Sequence, residues 1–233
     1  MASAIILAAG SGHRMKSPVA KQYLDLGGIP VLARTLMAFD NHPAVENIFL
    51  VVAQKELEFC RKTILSSLLW EKNIMIVAGG KQRQDSVYEG LKAAERFMTD
   101  REIIVIHDGA RPLVSGETIT ACIDGAEKSG ACIPCLPASD TLKQVDSGGF
   151  VTATVSRTNI WIAQTPQAFS FKLLKQGFEN AIEKGLAVTD DAAVIEDCGG
   201  SVQVISGSRK NIKITTPEDL DMARALLQVA GES

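Results

Sequence analysis

A chain of 233 residues, 46% of them hydrophobic, is long enough to bury a substantial core and falls within the range of one α/β domain, so a single domain over 1–233 is expected. A formal net charge of −3 gives no global attraction to polyanions; this disfavours a nucleic-acid-coating role and requires any phosphate site to be assembled locally from Lys, Arg and backbone N–H groups. Cysteines at 60, 122, 132, 135 and 198 form no even disulfide framework, the first apolar run has no basic leader, and no apolar stretch approaches ~20 residues, so a cytoplasmic chain without a membrane span is expected.

The first expected strand, Ile5 to Ala8, runs into Gly10-Ser11-Gly12-His13-Arg14-Met15. Glycines there let backbone N–H groups approach a triphosphate, and Arg14 adds charge-assisted hydrogen bonds. Met15 stands where G-x-G-x-x-G needs glycine, and no G-x-x-x-x-G-K-[ST] occurs, which weakens dehydrogenase and P-loop readings. Lys21 offers a second cation beyond the loop; a merely structural glycine turn also fits these residues alone. After Pro30, the stripe Leu32, Leu36 and Phe39 forecasts the first helix. Strands are expected at Ile48 to Val52 and Ile74 to Val77. Behind the latter, Gly79-Gly80-Lys81-Gln82-Arg83-Gln84-Asp85-Ser86 leads into a helix carrying Val87, Leu91 and Ala94. The two glycines are expected to make room for a flat base and Ser86 to bond it, although an ordinary capped strand-to-helix turn accounts for the same residues.

The strand Ile103 to Ile106 ends in His107-Asp108-Gly109-Ala110-Arg111-Pro112. Ligands of open α/β sheets bind at the carboxyl edges of strands, so Asp108 is placed to help organise Mg²⁺ around phosphates and Arg111 to meet an anionic substrate. His107 ends an apolar run with no Ser or Cys partner and reads as structural. With no His or Cys cluster at metal-ligand spacing, Mg²⁺ is expected to be held mainly by phosphate oxygens. Cys132 and Cys135 fall inside the apolar run Ala131 to Leu136 and read as buried strand residues. Thr141 to Val145 and Phe150 to Val155, joined by Ser147-Gly148-Gly149, read as a hairpin too poor in large apolar residues to be core. An arm packing on a second subunit and a solvated surface hairpin both fit. Val202 to Ile205 and Ile212 to Ile214 complete the strand candidates, and Thr216-Pro217-Glu218-Asp219 opens a closing helix. The alternation argues for a mostly parallel sheet covered on both faces.

Seven segments in order, Leu7-Ala8-Ala9-Gly10-x-Gly12-x-Arg14-Met15, Pro18-x-x-Lys21-Gln22-Tyr23, Gly79-Gly80-x-x-Arg83-x-Asp85-Ser86-Val87, His107-Asp108-x-Ala110-Arg111-Pro112, Thr165-Pro166-Gln167, Thr189-Asp190-Asp191-Ala192 and Asn211-Ile212-Lys213, span nearly the whole chain. Together they resemble the methylerythritol phosphate cytidylyltransferase family. The resemblance implies a Rossmann-like three-layer nucleotidyltransferase fold, with a mostly parallel mixed sheet and a protruding β-hairpin arm, and an in-line attack of a substrate phosphate on the α-phosphate of CTP. It implies catalytic roles for Arg14, Lys21 and Lys213, and a CTP site of Leu7, Ala8, Ala9, Gly10, Ser11, Gly12, Gly79, Gly80, Arg83, Asp85, Ser86, Asp108 and Gly109. Acceptor contacts are implied at Asp108, Arg111, Thr141, Arg157, Thr165, Thr189 and Lys213. Because Thr141 and Arg157 bracket the hairpin, the resemblance also implies a homodimer in which the 138–158 arm completes the partner's site.

Gly109 departs from the more familiar alanine, with little effect expected beyond a looser backbone. Ribitol 5-phosphate cytidylyltransferases, whose first loop typically reads Leu-Ala-Gly-Gly, are the nearest rival, and Ala8-Ala9-Gly10 with Thr189 to Ala192 favours methylerythritol phosphate. Sugar-1-phosphate nucleotidyltransferases share the glycine loop but are usually longer. A non-catalytic nucleotide-binding regulator on the same fold is disfavoured by Arg14, Lys21 and Lys213 together. With nothing after the closing helix, a fusion to the next pathway enzyme is not expected.

Overall fold

The computed structural model describes residues 1–10 and 20–231, with side chains up to residue 229. The chain runs β1 (Ala2–Ala8), a short ladder of β2 (Asp25–Leu26) and β3 (Ile29–Pro30), α1 (Val31–Asp40), β4 (Val45–Val52), α2 (Leu57–Thr63), β5 (Asn73–Ala78) and α3 (Arg83–Ala94). It continues through β6 (Ile103–Asp108), α4 (Gly116–Ser129), β7 (Ala131–Pro137), β8 (Leu142–Val145), β9 (Val151–Val155), β10 (Trp161–Ala163), β11 (Gln167–Ser170), α5 (Phe171–Glu183), α6 (Ala192–Asp197), β12 (Gln203–Ser206) and α7 (Pro217–Gly231).

Strand β1 lies between β4 and β6, parallel to both, and β5 extends the sheet beyond β4 in the same sense. On the other side β11 runs antiparallel to β6 and β7, and β12 lies parallel to β7. Ala163 pairs with Cys135 while Ala168 pairs with Cys132, so β10 and β11 follow one antiparallel track along β7, and residues 164–167 face only 133–134. That bulge carries the cis peptide Thr165–Pro166. Because the track is reversed, its amino end meets the carboxyl end of β6, with Gln167 opposite Ile106.

Period-two alternation splits the core. Ala4, Ile6 and Ala8 join Leu32, Leu36 and Phe39 of α1 and Ile119, Cys122 and Ile123 of α4 on one face. Ile5, Phe49 and Val51 join Val87 and Leu91 of α3 and Phe171, Leu174 and Phe178 of α5 on the other. A smaller cluster of Leu26, Val31, Ile214, Leu220 and Ala223 seats α7 on the β2–β3 ladder. The expected doubly covered, mostly parallel sheet is therefore present, and Cys132 and Cys135 are buried on its opposite faces. Local signals agree: the Ser115 side chain caps α4, which ends at Gly130 with φ 83°, and Asp219 in the first turn of α7 accepts from the backbone N–H groups of Thr215 and Thr216.

Two expectations need correction. Ile212 to Ile214 is not a strand: Ile214 is buried in the small cluster and its N–H binds Ala110 O, a single anchor in place of a ladder. The hairpin strands begin one residue later than expected, at Leu142 and Val151. The hairpin is exposed along both strands apart from half-buried Leu142, its turn closed by Asp146 Oδ1 accepting from Gly148 N and Phe150 N. No helix among the described residues is long and apolar enough to cross a membrane.

Candidate active site

Strands β1, β5 and β6 end on the same rim, and the segments that leave them enclose one cleft. It is lined by Leu7 to Gly10, by Lys21 and Gln22 from a short 3-10 turn, by Gly80 to Arg83 and Ser86 at the start of α3, by Asp108 to Ala110, and by Lys213 from the loop before α7. Eleven of the expected site residues thus converge: Leu7, Ala8, Ala9, Gly10, Lys21, Gly80, Arg83, Ser86, Asp108, Gly109 and Lys213. Ser11, Gly12 and Arg14 lie outside the described residues. Gly79, Asp85, Arg111 and Thr165 stand behind the cleft wall, while Thr141, Arg157 and Thr189 are exposed and do not line it.

Asp108 is the electrostatic centre. Its Oδ2 lies 2.9 Å from Lys213 Nζ and 3.4 Å from Arg111 Nε. Burial by itself would raise this carboxyl, but Lys213, Arg83 and Arg111 together hold it well below the usual carboxylate range. Arg111 is turned inward: its side chain is 12% exposed, and Nη1 donates to Asn211 O at 2.7 Å. His107 is fully buried, with Nδ1 3.1 Å from the Thr165 hydroxyl and Nε2 3.1 Å from Arg111 O. Burial pushes its pKa down to about 4, so both nitrogens serve the wall and the structural reading of His107 holds.

At the mouth of α3, the Gln82 N–H donates to Asp85 Oδ2 in a capping box, so Asp85 serves the helix end. Ser86 is 3% exposed and donates its hydroxyl to Gln82 O at 3.0 Å, which leaves its oxygen as an acceptor toward the cleft. A Cβ on Gly79 would lie 2.8 Å from both Ala9 Cβ and Ser86 Oγ, and one on Gly80 2.3 Å from Asp85 Cβ, so close packing at the helix start also requires glycine at both positions, while Gly80 lines the cleft. Gly109 is also tight, since a Cβ there would meet Leu7 O and Leu32 Cδ1 at 3.0 Å; its smallness serves close packing between strands.

Arg83 spans from α3 to Asp191, with Nη1–Oδ1 at 2.8 Å and Nη2–Oδ2 at 2.6 Å. Asp191 has no exposed surface; burial raises its pKa against the opposing pull of Arg83. Gln167 secures the same segment, accepting from Asp191 N and Ala192 N and donating to Asp190 Oδ2. Gln22 was not foreseen as a cleft residue: its Nε2 donates to Ala8 O at 3.0 Å and Glu56 Oε2 at 3.1 Å, fixing the turn that carries Lys21 against β1. Lys81, Gln82 and Ala110 are further lining residues that were not singled out. Only their position beside quoted motif residues hinted at them.

Cations brought from separate segments to the rim of a Rossmann-like sheet, around one buried carboxylate, define a nucleotide-handling transferase of the nucleotidyltransferase fold. The chain belongs to the 2-C-methyl-D-erythritol 4-phosphate cytidylyltransferase (IspD) family, whose model matches residues 2–229. A cytidylyltransferase of that name from Syntrophus aciditrophicus is 44% identical over 225 residues, covering 97% of this chain and 95% of the relative. Another from Syntrophotalea carbinolica is 43% identical over 228 residues, covering 98% and 97%. The crystal structure of 4-diphosphocytidyl-2C-methyl-D-erythritol synthase from Anaerococcus prevotii superposes with a TM-score of 0.82 at 36% identity, over 97% of this chain and 96% of that one. The Francisella tularensis 2-C-methyl-D-erythritol 4-phosphate cytidylyltransferase gives 0.82 at 33% identity, over 97% and 99%.

Proposed function

We propose that this chain transfers CMP from CTP to 2-C-methyl-D-erythritol 4-phosphate, releasing pyrophosphate and forming 4-diphosphocytidyl-2-C-methyl-D-erythritol. The observation that carries the reading is the Lys213–Asp108 pair, at 2.9 Å, in the same cleft as Lys21 and the Gly80–Ser86 helix start. An oxygen of the acceptor phosphate attacks the α-phosphorus in line, and the bond to the β-phosphate oxygen breaks as pyrophosphate leaves. A phosphate nucleophile needs no general base, and among the described residues the histidine nearest the cleft, His107, is buried and spent on its neighbours. The barrier is anionic repulsion, which Lys213 relieves at the incoming phosphate and Lys21, with Arg14, at the triphosphate.

The donor set suits a magnesium ion carried on phosphate oxygens. Asp108 is the only carboxylate among the described lining residues, and no group of three or more His, Cys, Asp or Glu able to hold a metal occurs among the described residues. Bound on the phosphates with Asp108 beside them, Mg²⁺ would supply neutralisation of phosphate charge.

We also assign the hairpin to a homodimer contact. Its support is an apolar surface on and beside the arm, with Phe150 74%, Val151 60%, Ile162 56% and Val145 56% exposed. Thr141 and Arg157 at its base, absent from this chain's own cleft, then serve the partner's acceptor site. Free cysteines throughout support a reducing, cytoplasmic setting.

The test is pyrophosphate release from CTP and Mg²⁺ with methylerythritol phosphate or ribitol 5-phosphate as acceptor, alongside Lys213→Ala. Turnover with the first acceptor alone, reduced on the order of 10²-fold in the variant, is expected. Turnover with ribitol 5-phosphate would move the chain to the sister activity, and none with either acceptor would sink the enzymatic reading.

A further inference from the structure

Lys213 sits on a segment, residues 207–215, that has neither helix nor strand to hold it. A flexible four-carbon side chain on such a loop has no inherent reason to meet Asp108 at hydrogen-bond distance. Something else must fix the loop, and the hydrogen bonds around Asn211 identify it.

Asn211 is 1% exposed, and its Nδ2 donates to Thr165 O at 2.7 Å. The backbone N–H of Asp108 donates to the hydroxyl of the same Thr165 at 3.1 Å. Both members of the Lys213–Asp108 pair are therefore tied to one post, Asp108 directly and Lys213 through a residue two positions earlier. Arg111, which also reaches Asp108 Oδ2, closes the ring by donating to Asn211 O at 2.7 Å. Upstream, Gln164 and Ser208 grip each other reciprocally: Gln164 Nε2 donates to Ser208 O at 2.9 Å and Ser208 N donates to Gln164 Oε1 at 3.1 Å. Downstream, Ile214 is buried and its N–H binds Ala110 O at 2.8 Å.

We propose that Asn211 is the positioning residue that sets the Lys213 ammonium against Asp108, with Gln164 holding the start of the same loop. Asn211 does not line the cleft and acts through Lys213. The inference rests on the cytidylyltransferase reading for its kinetic consequence, whereas the placement of Lys213 rests on the contacts alone.

One further observation makes the role separable from folding. Asn211 Oδ1 is the one buried side-chain N or O atom without a hydrogen-bond partner among the described residues. An orphaned buried acceptor destabilises the fold; a leucine of similar size removes Oδ1 but leaves Thr165 O without its Nδ2 donor, so one unpaired buried acceptor replaces another. Stability should change little while the anchor of Lys213 is lost.

The experiment uses the full chain with Asn211→Leu and, separately, Gln164→Leu. Four quantities are read: kcat and the KM for CTP by pyrophosphate release, thermal unfolding, and acylation of Lys213 by an amine-reactive ester, followed by mass spectrometry. For Asn211→Leu the expected result is a melting temperature within about 5 °C of the parent. The kcat should fall about 10- to 100-fold, with the KM for CTP held within about threefold. Lys213 should be acylated several-fold faster, because the ion pair no longer shields it. Gln164→Leu should shift kcat and labelling in the same direction, and it decides the matter alone if the first variant does not fold. Unchanged kcat and unchanged labelling would overturn the proposal, as would a KM for CTP that rises in step with the fall in kcat. Labelling needs no turnover, so a parent enzyme idle with methylerythritol phosphate would count against the proposed reaction without touching the positioning result.

Discussion

Replacing Arg83 with alanine leaves the Asp191 carboxylate, which has no exposed surface, without either of its guanidinium bonds at 2.8 and 2.6 Å. Removing one partner of a buried ion pair costs about 3–5 kcal/mol, because the remaining charge stays desolvated. For a chain of 233 residues that corresponds to a fall in melting temperature of about 6–20 °C. The loss should depend on pH in a definite sense. Without Arg83 the Asp191 pKa rises further, so between the ordinary carboxylate pKa and this raised value the folded state binds more protons than the unfolded one. In that window stability increases as pH falls, and the deficit of the variant shrinks on acidification. Urea unfolding at neutral and mildly acidic pH would measure this. An apolar double replacement, Arg83→Met with Asp191→Leu, should recover most of the loss and give a coupling energy of about 2 kcal/mol or more. A coupling below about 0.5 kcal/mol, or a deficit that grows toward acid, would refute the view that this bridge is a desolvated pair.

His107, with its pKa pushed down to about 4, stays neutral in the fold while the unfolded chain takes up a proton near 6.5. Its contribution is complete above that pH and is lost as pH falls toward 4, about 3 kcal/mol in all. The buried His42 shifts in the same direction, so the comparison of parent with His107→Gln, by urea midpoints at pH 7 and 5, isolates the effect. A variant with the parent's pH slope would be inconsistent with it. Gly79→Ala would press a methyl to 2.8 Å from Ala9 Cβ and Ser86 Oγ, at a cost of about 1–3 kcal/mol, and should raise the KM for CTP by moving the helix start. For the arm, Phe150→Asp should convert dimer to monomer in light scattering and abolish turnover; an active monomer would remove the shared-site proposal.

Strands β1, β4, β6 and β7 were legible in the sequence because burial on both faces gives each an apolar run, and the edge strand β5, only half-buried, carries a similar run. The β10–β11 track was not. Trp161 and Ile162 are exposed, Pro166 interrupts the pattern, and the run gains its identity as a strand only from β7 beside it. Ile212 to Ile214 misled for the opposite reason, since an apolar triplet can be buried by a single tertiary anchor as well as by a sheet. Motif positions singled out Lys21, Arg83 and Lys213, which line one cleft, yet they could not assign them partners. Arg83 and Asp191 lie 108 positions apart, and only the fold makes the arginine a brace between α3 and the acidic segment. Gln22 gave no signal because a neutral amide becomes informative only when its acceptors, Ala8 O and Glu56, are known.

The pairing of Trp161 with Pro137 means that the chain leaves β7 and re-enters the sheet at adjacent points on one rim. Everything between those points is a detour whose ends are already fastened, so neither sheet order nor register depends on its length or content. Lengthening such a detour costs only about 0.6 kcal/mol of closure entropy for each doubling. The arm can therefore behave as an exchangeable cassette: grafting a relative's segment between these two residues would leave the nucleotide cleft as it stands and, under the proposed arm-mediated dimer, alter which subunits recognise one another.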